Sequence, residues 1–423
     1  MTGNYLYEGA DEYLARYLTG STRAERPLGF QILQNAVVLP HLTLENGAWG
    51  GGIVTAEGDY LENTAVHNKS GCAYAVDDEQ VENADETVIY LGMFNGVWGH
   101  CITDNIRRCW FLMTDEYARK YSNAKFIYIP IIGFKMHSNF LKLLNILGIK
   151  EEQLIPVTKA TRFANIVLPD ESFFTEDGDT RLFTKEYVDT IDRIVDYANS
   201  RKTETGIEKV YLTFSKSPKM TGEEALERFF QKNGYAIIDF GQIGLDEQLN
   251  ILINCRYLAG TLGSNMHNAV FCNEGTNVIL IPRSYYIPGY QAAINEARKL
   301  NAVFIDSTLS DGVENTKPYM GPFFSYVSRE LKSYFGDSSR ITSREALDSL
   351  RSYYHYKADS RFTGGRCDRT APAYYEARVK EQIKEWEELA RGEKGCRSIR
   401  YLETVKLYRN ILVRRIKALT RTN

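Results

Sequence analysis

From about residue 86 to residue 310 the chain alternates short apolar runs with stretches whose apolar positions recur every three to four residues, and few folds satisfy that pattern. ETVIYLGM, AKFIYIPII, LIPV and ANIVLP read as strands, HCITDNIRRCWFLMTDEYARKY and SNFLKLLNILGI as helices. A polar bridge at 170–208 follows, with helical spacing in KEYVDTIDRIVDYANSRK. The alternation then restarts. KVYLTFS, YAIIDF, RYLAG and NVILIP are the next strands; GEEALERFFQKNG (closed by Gly234), LDEQLNILINC and SNMHNAVFCN are the helices between them. Each series predicts a parallel sheet with helices on both faces. At 423 residues the chain is too long for one ordinary core, so two Rossmann-like α/β domains are expected. The boundaries expected are 1–205, 206–315 and a helical, strongly charged extension at 316–423. Residues 1–28 read as a short helix and linker, and Phe30–Val66 as hairpins of a small β-rich N-terminal region.

Composition excludes more than it selects. A net charge of −3 offers no field for nucleic acid. No run approaches the ~18 apolar residues of a membrane helix, and MTGNYLYEGADEYLARYL lacks the basic and apolar regions of a signal peptide, so a cytoplasmic protein is expected. The last segment carries Leu402, Val405, Tyr408, Leu412, Ile416 and Leu419 on one helical stripe, opposite Lys406, Arg409, Arg414, Lys417 and Arg421. It reads as a terminal helix docked on its own domain or as a peripheral contact with an anionic membrane.

Two stretches concentrate groups able to do chemistry. In RYLAGTLGSNMHNAVFCNEGTNVILIPRS a strand feeds a loop holding Gly260, Gly263, Ser264 and Asn265, where a helix is expected to begin. Glycine permits close approach, and N–H groups at a helix start favour an anion such as a diphosphate. Ser264 or Asn265 is the expected cap. Glycine turns of this kind also serve purely structural ends, and the spacing is not G-x-G-x-x-G, which argues against a dinucleotide oxidoreductase. In MFNGVWGHCITDNIRRCWFL a loop with Gly96 and Gly99 precedes His100, Asp104 and Arg107 or Arg108. His100 and Asp104, four apart, share a helical face, and the carboxylate raises the imidazole's basicity, as deprotonating a hydroxyl requires. The alternative is a structural histidine at a helix start. Lys216 and Lys219 in SKSPK are cations for phosphate or a solvated turn. Asp177-Gly178-Asp179 reads as a polar turn and not a metal-holding pair.

Together, Gly99-His100 with Asp104 and Arg107, the KVYLTFS strand, and EQLNILINCRYLAGTLGSNMHNAVFCNEGTNVILI resemble glycosyltransferase family 61, a group with bacterial capsular-polysaccharide and eukaryotic xylosyl- and N-acetylglucosaminyl-transferases. The resemblance covers roughly 30–285 and is sharpest at 99–111 and 209–281. It implies a GT-B fold and inverting transfer from a nucleotide sugar to a glycan hydroxyl, with no cofactor and no essential metal. On that likeness His100 or Asp104 takes the acceptor proton. Lys216, Lys219, Gly260, Gly263, Ser264, Asn265, His267 and Asn268 hold the donor, and Arg107, Arg108, Glu247 and Arg283 support donor or acceptor. The chain departs from the family pattern at Leu262-Gly263-Ser264-Asn265, where His-Gly-Ala-Gly is usual, at His267 in place of Thr, and at Phe214-Ser215-Lys216, where Arg is usual. The implied partners are a nucleotide sugar and a glycan or lipid-linked glycan in bacterial surface-polysaccharide synthesis. The alternatives are a pyruvyl-type polysaccharide transferase using phosphoenolpyruvate and an inactive glycan-binding scaffold.

Overall fold

The computed structural model describes residues 4–5, 21–45, 48–65, 71–176, 180–214, 220–284, 289–309, 321–363 and 373–393. After β1 (Asn4–Tyr5), eight strands build a mixed sheet: β2 (Phe30–Thr43), β3 (Trp49–Val54), β4 (Tyr60–Leu61), β5 (Gly71–Cys72), β6 (Glu82–Phe94), β7 (Lys125–Pro130), β8 (Leu154–Pro156) and β9 (Thr161–Pro169). Their order is β4-β3-β2-β9-β6-β7-β8, with β5 beside β3. The expected hairpins are there, since β2 runs antiparallel to both β3 and β9. The purely parallel sheet expected for this part is not: parallel pairing is confined to β9, β6, β7 and β8 and to the short β3–β5 pair. β6 is mostly exposed or half-buried up to Thr87 and fully buried from Val88 to Phe94, the mark of a strand that runs under covering helices.

β10 (Phe173–Thr175) and β11 (Arg181–Phe183) form a hairpin. The second sheet comprises β12 (Lys209–Leu212), β14 (Ala236–Ile238), β15 (Tyr257–Thr261), β16 (Asn277–Ile281) and β17 (Asn301–Phe304), with β13 (Met220–Thr221) pairing β18 (Phe323–Phe324) to one side. Its order is β1-β17-β16-β15-β12-β14 and every pair is parallel. Asn4–Tyr5 therefore extends the second sheet as a strand, where helix or linker was expected. The rest of 1–20 lies outside the described residues.

The helices are α1 (Trp98–Cys101), α2 (Ser138–Leu147), α3 (Lys185–Asn199), α4 (Glu223–Lys232), α5 (Leu245–Asn254), α6 (Tyr290–Ala297), α7 (Arg329–Tyr334), α8 (Ser343–Thr363) and α9 (Ala373–Leu389). The polar bridge is α3, which buries Tyr187, Ile191, Ile194 and Ala198 at three-to-four spacing and packs on α2 and α5. One apolar cluster runs continuously between the two sheets, from Ile89, Phe126 and Phe140 through Ile191 to Leu258, Val270 and Ile294. Smaller clusters line the outer faces of the two sheets, and another joins Phe324, Tyr353 and Trp386 among the C-terminal helices. The basic stripe at 402–423 lies outside the described residues. Among those described, no helix is long and apolar enough to cross a membrane.

Two expected helices are not α-helical. The segment after His100 is a single α-turn, a run of turns, a 3-10 turn at Cys109–Met113 and a π-turn at Tyr117–Tyr121. Thr103 Oγ1 donates to the Gly99 carbonyl and Asn105 Nδ2 to the Asn95 carbonyl; such side-chain bonds compete with a regular ladder. Ser172 then takes the Arg107 carbonyl through both N–H and Oγ. The second, at Met266–Phe271, is a 3-10 helix, because the Met266 N–H bonds back three residues to the Gly263 carbonyl.

Candidate active site

The loop after β6 is set by two asparagines. Asn105 Oδ1 accepts from Asn95 N–H (3.2 Å) while its Nδ2 donates to the Asn95 carbonyl (3.0 Å), and Asn95 Oδ1 accepts from Val97 N–H. This holds α1 so that His100 Nδ1 lies 2.5 Å from Asp104 Oδ2, with both side chains partly open to solvent. Asp104 also accepts from the Tyr290 hydroxyl at 3.2 Å, and Thr103 Oγ1, at the same distance, shares its one proton between this oxygen and the Gly99 carbonyl. A carboxylate on Nδ1 selects the tautomer with its proton there and its lone pair on Nε2.

On the second sheet, β15 ends at Thr261 and the chain turns at Gly263, whose φ of +148° suits glycine. A Cβ there would sit 2.5 Å from Arg283 Nη1, so the guanidinium lies directly against this loop. The Met266 and His267 N–H groups are taken by the Gly263 carbonyl. Among the described residues, no hydrogen bond uses the N–H groups of Gly263, Ser264 and Asn265. Neither Ser264 nor Asn265 caps the turn; Asn265 Nδ2 instead donates to the Thr213 carbonyl. Gly260 is no phosphate glycine. It lies within β15, and a Cβ on it would meet Met266 Sδ at 2.6 Å and the Leu212 carbonyl at 3.0 Å.

The two loops, some 160 residues apart in sequence, meet. A Cβ on Gly99 would lie 2.7 Å from His267 Nδ1 and 2.9 Å from Ser264 Oγ. Trp98 Nε1 donates to Asn268 Oδ1 at 2.8 Å, and Asn268 Nδ2 donates to the Asn265 carbonyl. His267 is buried and its Nδ1 has no partner; burial, and next the neighbouring His100, push it down to about 3. It is a neutral ring at any ordinary pH. Its ring stacks on Tyr290, 5.7 Å away at 25°.

Behind the Gly263 loop lies a buried polar cluster. Arg283 is flanked by the rings of Phe214 (4.3 Å) and Phe323 (5.3 Å). The residue as a whole keeps some surface, yet Nε and Nη2 are shut off from solvent without a partner. Burial pushes the guanidinium down to about 10, opposed by Glu223, so it stays charged at neutral pH. Glu223, at the first position of α4, accepts from the Tyr211 hydroxyl (2.7 Å) and Phe214 N–H (3.3 Å), and its Oε2 is unpartnered. Burial pushes this carboxyl up to about 7, against the pull of Tyr211 and Arg283. Between its ordinary value of 4.5 and about 7 the folded protein therefore binds more protons than the unfolded chain, and stability falls as pH rises through that window. Glu223→Gln is expected to remove roughly 3 kcal/mol of this dependence, read as a smaller difference between urea unfolding free energies at pH 4.5 and pH 8.

The remaining expected residues are not brought to this cluster. Arg107 and Arg108 are buried in ion pairs with Glu171 at 2.8 and 3.0 Å. They bond the carbonyls of Ala65, Asn63 and Pro169, bracing β6 and β9 from behind. Glu247 is exposed in the first turn of α5, on a groove shared with Tyr197, Arg201 and Asn250, where it complements the helix dipole. Lys216, Lys219 and Asp177–Asp179 lie outside the described residues. Among the described residues no cluster of three or more His, Cys, Asp or Glu could hold a metal ion. The residues missed are Tyr290, Trp98 as a partner of Asn268, Asn105 and Glu223. For Glu223 the only signal was its place at a helix start after a strand, which a helix-dipole reading explains equally well.

Residues 98–279 match the family described as Glycosyltransferase 61. The match opens at the His100 loop and closes within β16, so Arg283 and Tyr290 fall just beyond it. No curated protein matches the chain.

Proposed function

We propose, from the match of residues 98–279 to the glycosyltransferase 61 family, that the chain is an inverting, GT-B-type transferase moving a sugar from a nucleoside diphosphate to a glycan hydroxyl. The observation that carries this reading is the contact of Gly99 with Ser264 and His267, which sets a histidine–carboxylate pair beside a loop of unspent N–H groups and a buried guanidinium. An imidazole and an anion cradle side by side are what a displacement at an anomeric carbon needs.

In the proposed step the acceptor oxygen attacks the anomeric carbon while its proton passes to His100 Nε2. The bond from that carbon to the phosphate oxygen breaks, and its electron pair leaves with the nucleoside diphosphate. Asp104, which also accepts from the Tyr290 hydroxyl, holds the imidazole tautomer and its charge. The N–H groups of Gly263–Asn265, with Arg283 behind them, take the charge that grows on the diphosphate. Protein groups are thus proposed to do the work that a metal does elsewhere. Lys216 and Lys219, from the segment after Phe214, are proposed to add to this charge. A cytoplasmic setting in bacterial surface-polysaccharide synthesis, with a glycan or lipid-linked acceptor, is proposed from the family likeness alone.

The test is calorimetry of the purified protein against nucleoside diphosphates, nucleotide sugars and phosphoenolpyruvate, followed by transfer assays with the sugar that binds. Saturable binding of a nucleotide sugar and its turnover support the reading. Binding of phosphoenolpyruvate alone replaces it with pyruvyl transfer, and a folded protein that binds none of them is a scaffold.

A further inference from the structure

We propose that Tyr290 is a positioning residue that locks the His100–Asp104 pair from the half of the molecule that carries the Gly263 loop. The pair sits at the end of β6, on the first sheet, whereas Tyr290 opens α6, between β16 and β17 of the second. Its hydroxyl lies 3.2 Å from Asp104 Oδ2 and 3.4 Å from Oδ1, and its ring meets His100 edge-on at 5.7 Å and 84°. One ring thus touches both members of the pair.

The ring itself is tightly held. Phe173 of β10 stacks on it at 5.9 Å and 18°, the Arg181 guanidinium of β11 lies 4.4 Å from its centroid, and His267 stacks at 5.7 Å. Burial holds the Tyr290 hydroxyl well above its ordinary range, so at neutral pH it is a donor. Asp104 then receives His100 on its own segment and Tyr290 across the boundary between the sheets. The first bond lies within one segment and moves with it; the second ties the carboxylate to the half of the molecule that carries the Gly263 loop. His267 completes the connection, since its N–H donates to the Gly263 carbonyl while its ring lies on Tyr290. A base aligned in this way is in register with the diphosphate loop only while the two sheets keep this arrangement, and a misplacement of about 1 Å can cost ~10² in rate.

This inference rests on the reading of His100–Asp104 as the proton-accepting pair, but it is tested without it. Tyr290→Phe removes one hydroxyl and keeps the stacking surface, so the fold is retained. The titratable and charged groups around His100 are Asp104 on its own segment, Tyr290 on α6, His267 on the 3-10 turn and Arg181 on β11, with Tyr187 of α3 also acting on Asp104. Without the tyrosine hydroxyl more of the Asp104 charge falls on the imidazole, so the His100 midpoint, followed by imidazole NMR in the full chain, is expected to move up in Tyr290→Phe. With the nucleotide sugar identified by calorimetry, kcat is expected to fall roughly tenfold to a hundredfold at an unchanged donor Kd. An unmoved His100 midpoint overturns the proposal whatever the activity. A moved midpoint with wild-type kcat overturns the link to catalysis. Full activity in His100→Ala overturns the base assignment separately.

Discussion

His100→Ala is expected to lower kcat for sugar transfer by about 10²–10⁴-fold while donor Kd stays within about a factor of two. His100 touches Asp104, Tyr290 and the Gly99 loop, and no bond of the Gly263 loop depends on it. Its loss therefore removes a proton acceptor and leaves the anion cradle standing. Asp104→Asn is the companion variant. An amide that presents its NH2 to Nδ1 favours the opposite tautomer, so kcat is expected to fall with the side chain's shape preserved. Stopped assays at saturating donor and acceptor, with donor Kd from calorimetry, separate the two effects. A His100→Ala enzyme at full kcat sinks the assignment and points to Asp104.

Arg283→Met is expected to move binding and stability in opposite directions. The free protein holds a charged guanidinium with Nε and Nη2 buried and unpartnered, and an apolar side chain of similar length removes those orphaned donors, whose burial costs about 1–3 kcal/mol. Arg283 is one of the groups that pull the Glu223 carboxyl down, so without it that carboxyl takes up its proton more readily and leaves little charge uncompensated. A diphosphate against the Gly263 loop would satisfy the donors, so the variant is expected to bind a nucleoside diphosphate about 10²-fold more weakly. Gly263→Val attacks the same spot sterically, since its Cβ meets Arg283 Nη1 at 2.5 Å and a φ of +148° is foreign to valine. It is expected to lose both stability and binding. Urea melts and calorimetry on the two variants check this; an Arg283→Met protein that binds normally and melts earlier removes Arg283 from the anion site.

Much of the architecture was legible. The all-parallel second sheet followed from four apolar runs, β12, β14, β15 and β16, separated by helix-length segments. Gly234, at φ of +84°, stops α4 where it was read to stop, whereas Gly148, at +100°, ends α2 two residues short of the helix read from the sequence. Less legible was the stretch after His100. Its apolar spacing suits a helix, but Thr103, Asn105 and Ser172 divert its backbone bonds, and Ser172 is more than sixty residues away. The arginine pair misled for a related reason. Arg107 and Arg108 look like ligand-binding cations until Glu171, distant in sequence, appears between them.

The candidate site divides along the same line. His100 and Asp104 could be paired from the sequence because four residues of helical turn bring them together, and Gly263 could be singled out because a strand-to-helix turn needs its backbone freedom. That those loops face each other was not readable, nor that Tyr290 closes on Asp104 or that Arg283 waits unpartnered behind Gly263. Local pattern determined the elements and the pairs within one turn, since those depend on neighbours three or four residues away. Which side chains meet across the two sheets was decided by tertiary packing alone, since burial, register and desolvation depend on residues that the sequence separates by 160 positions or more.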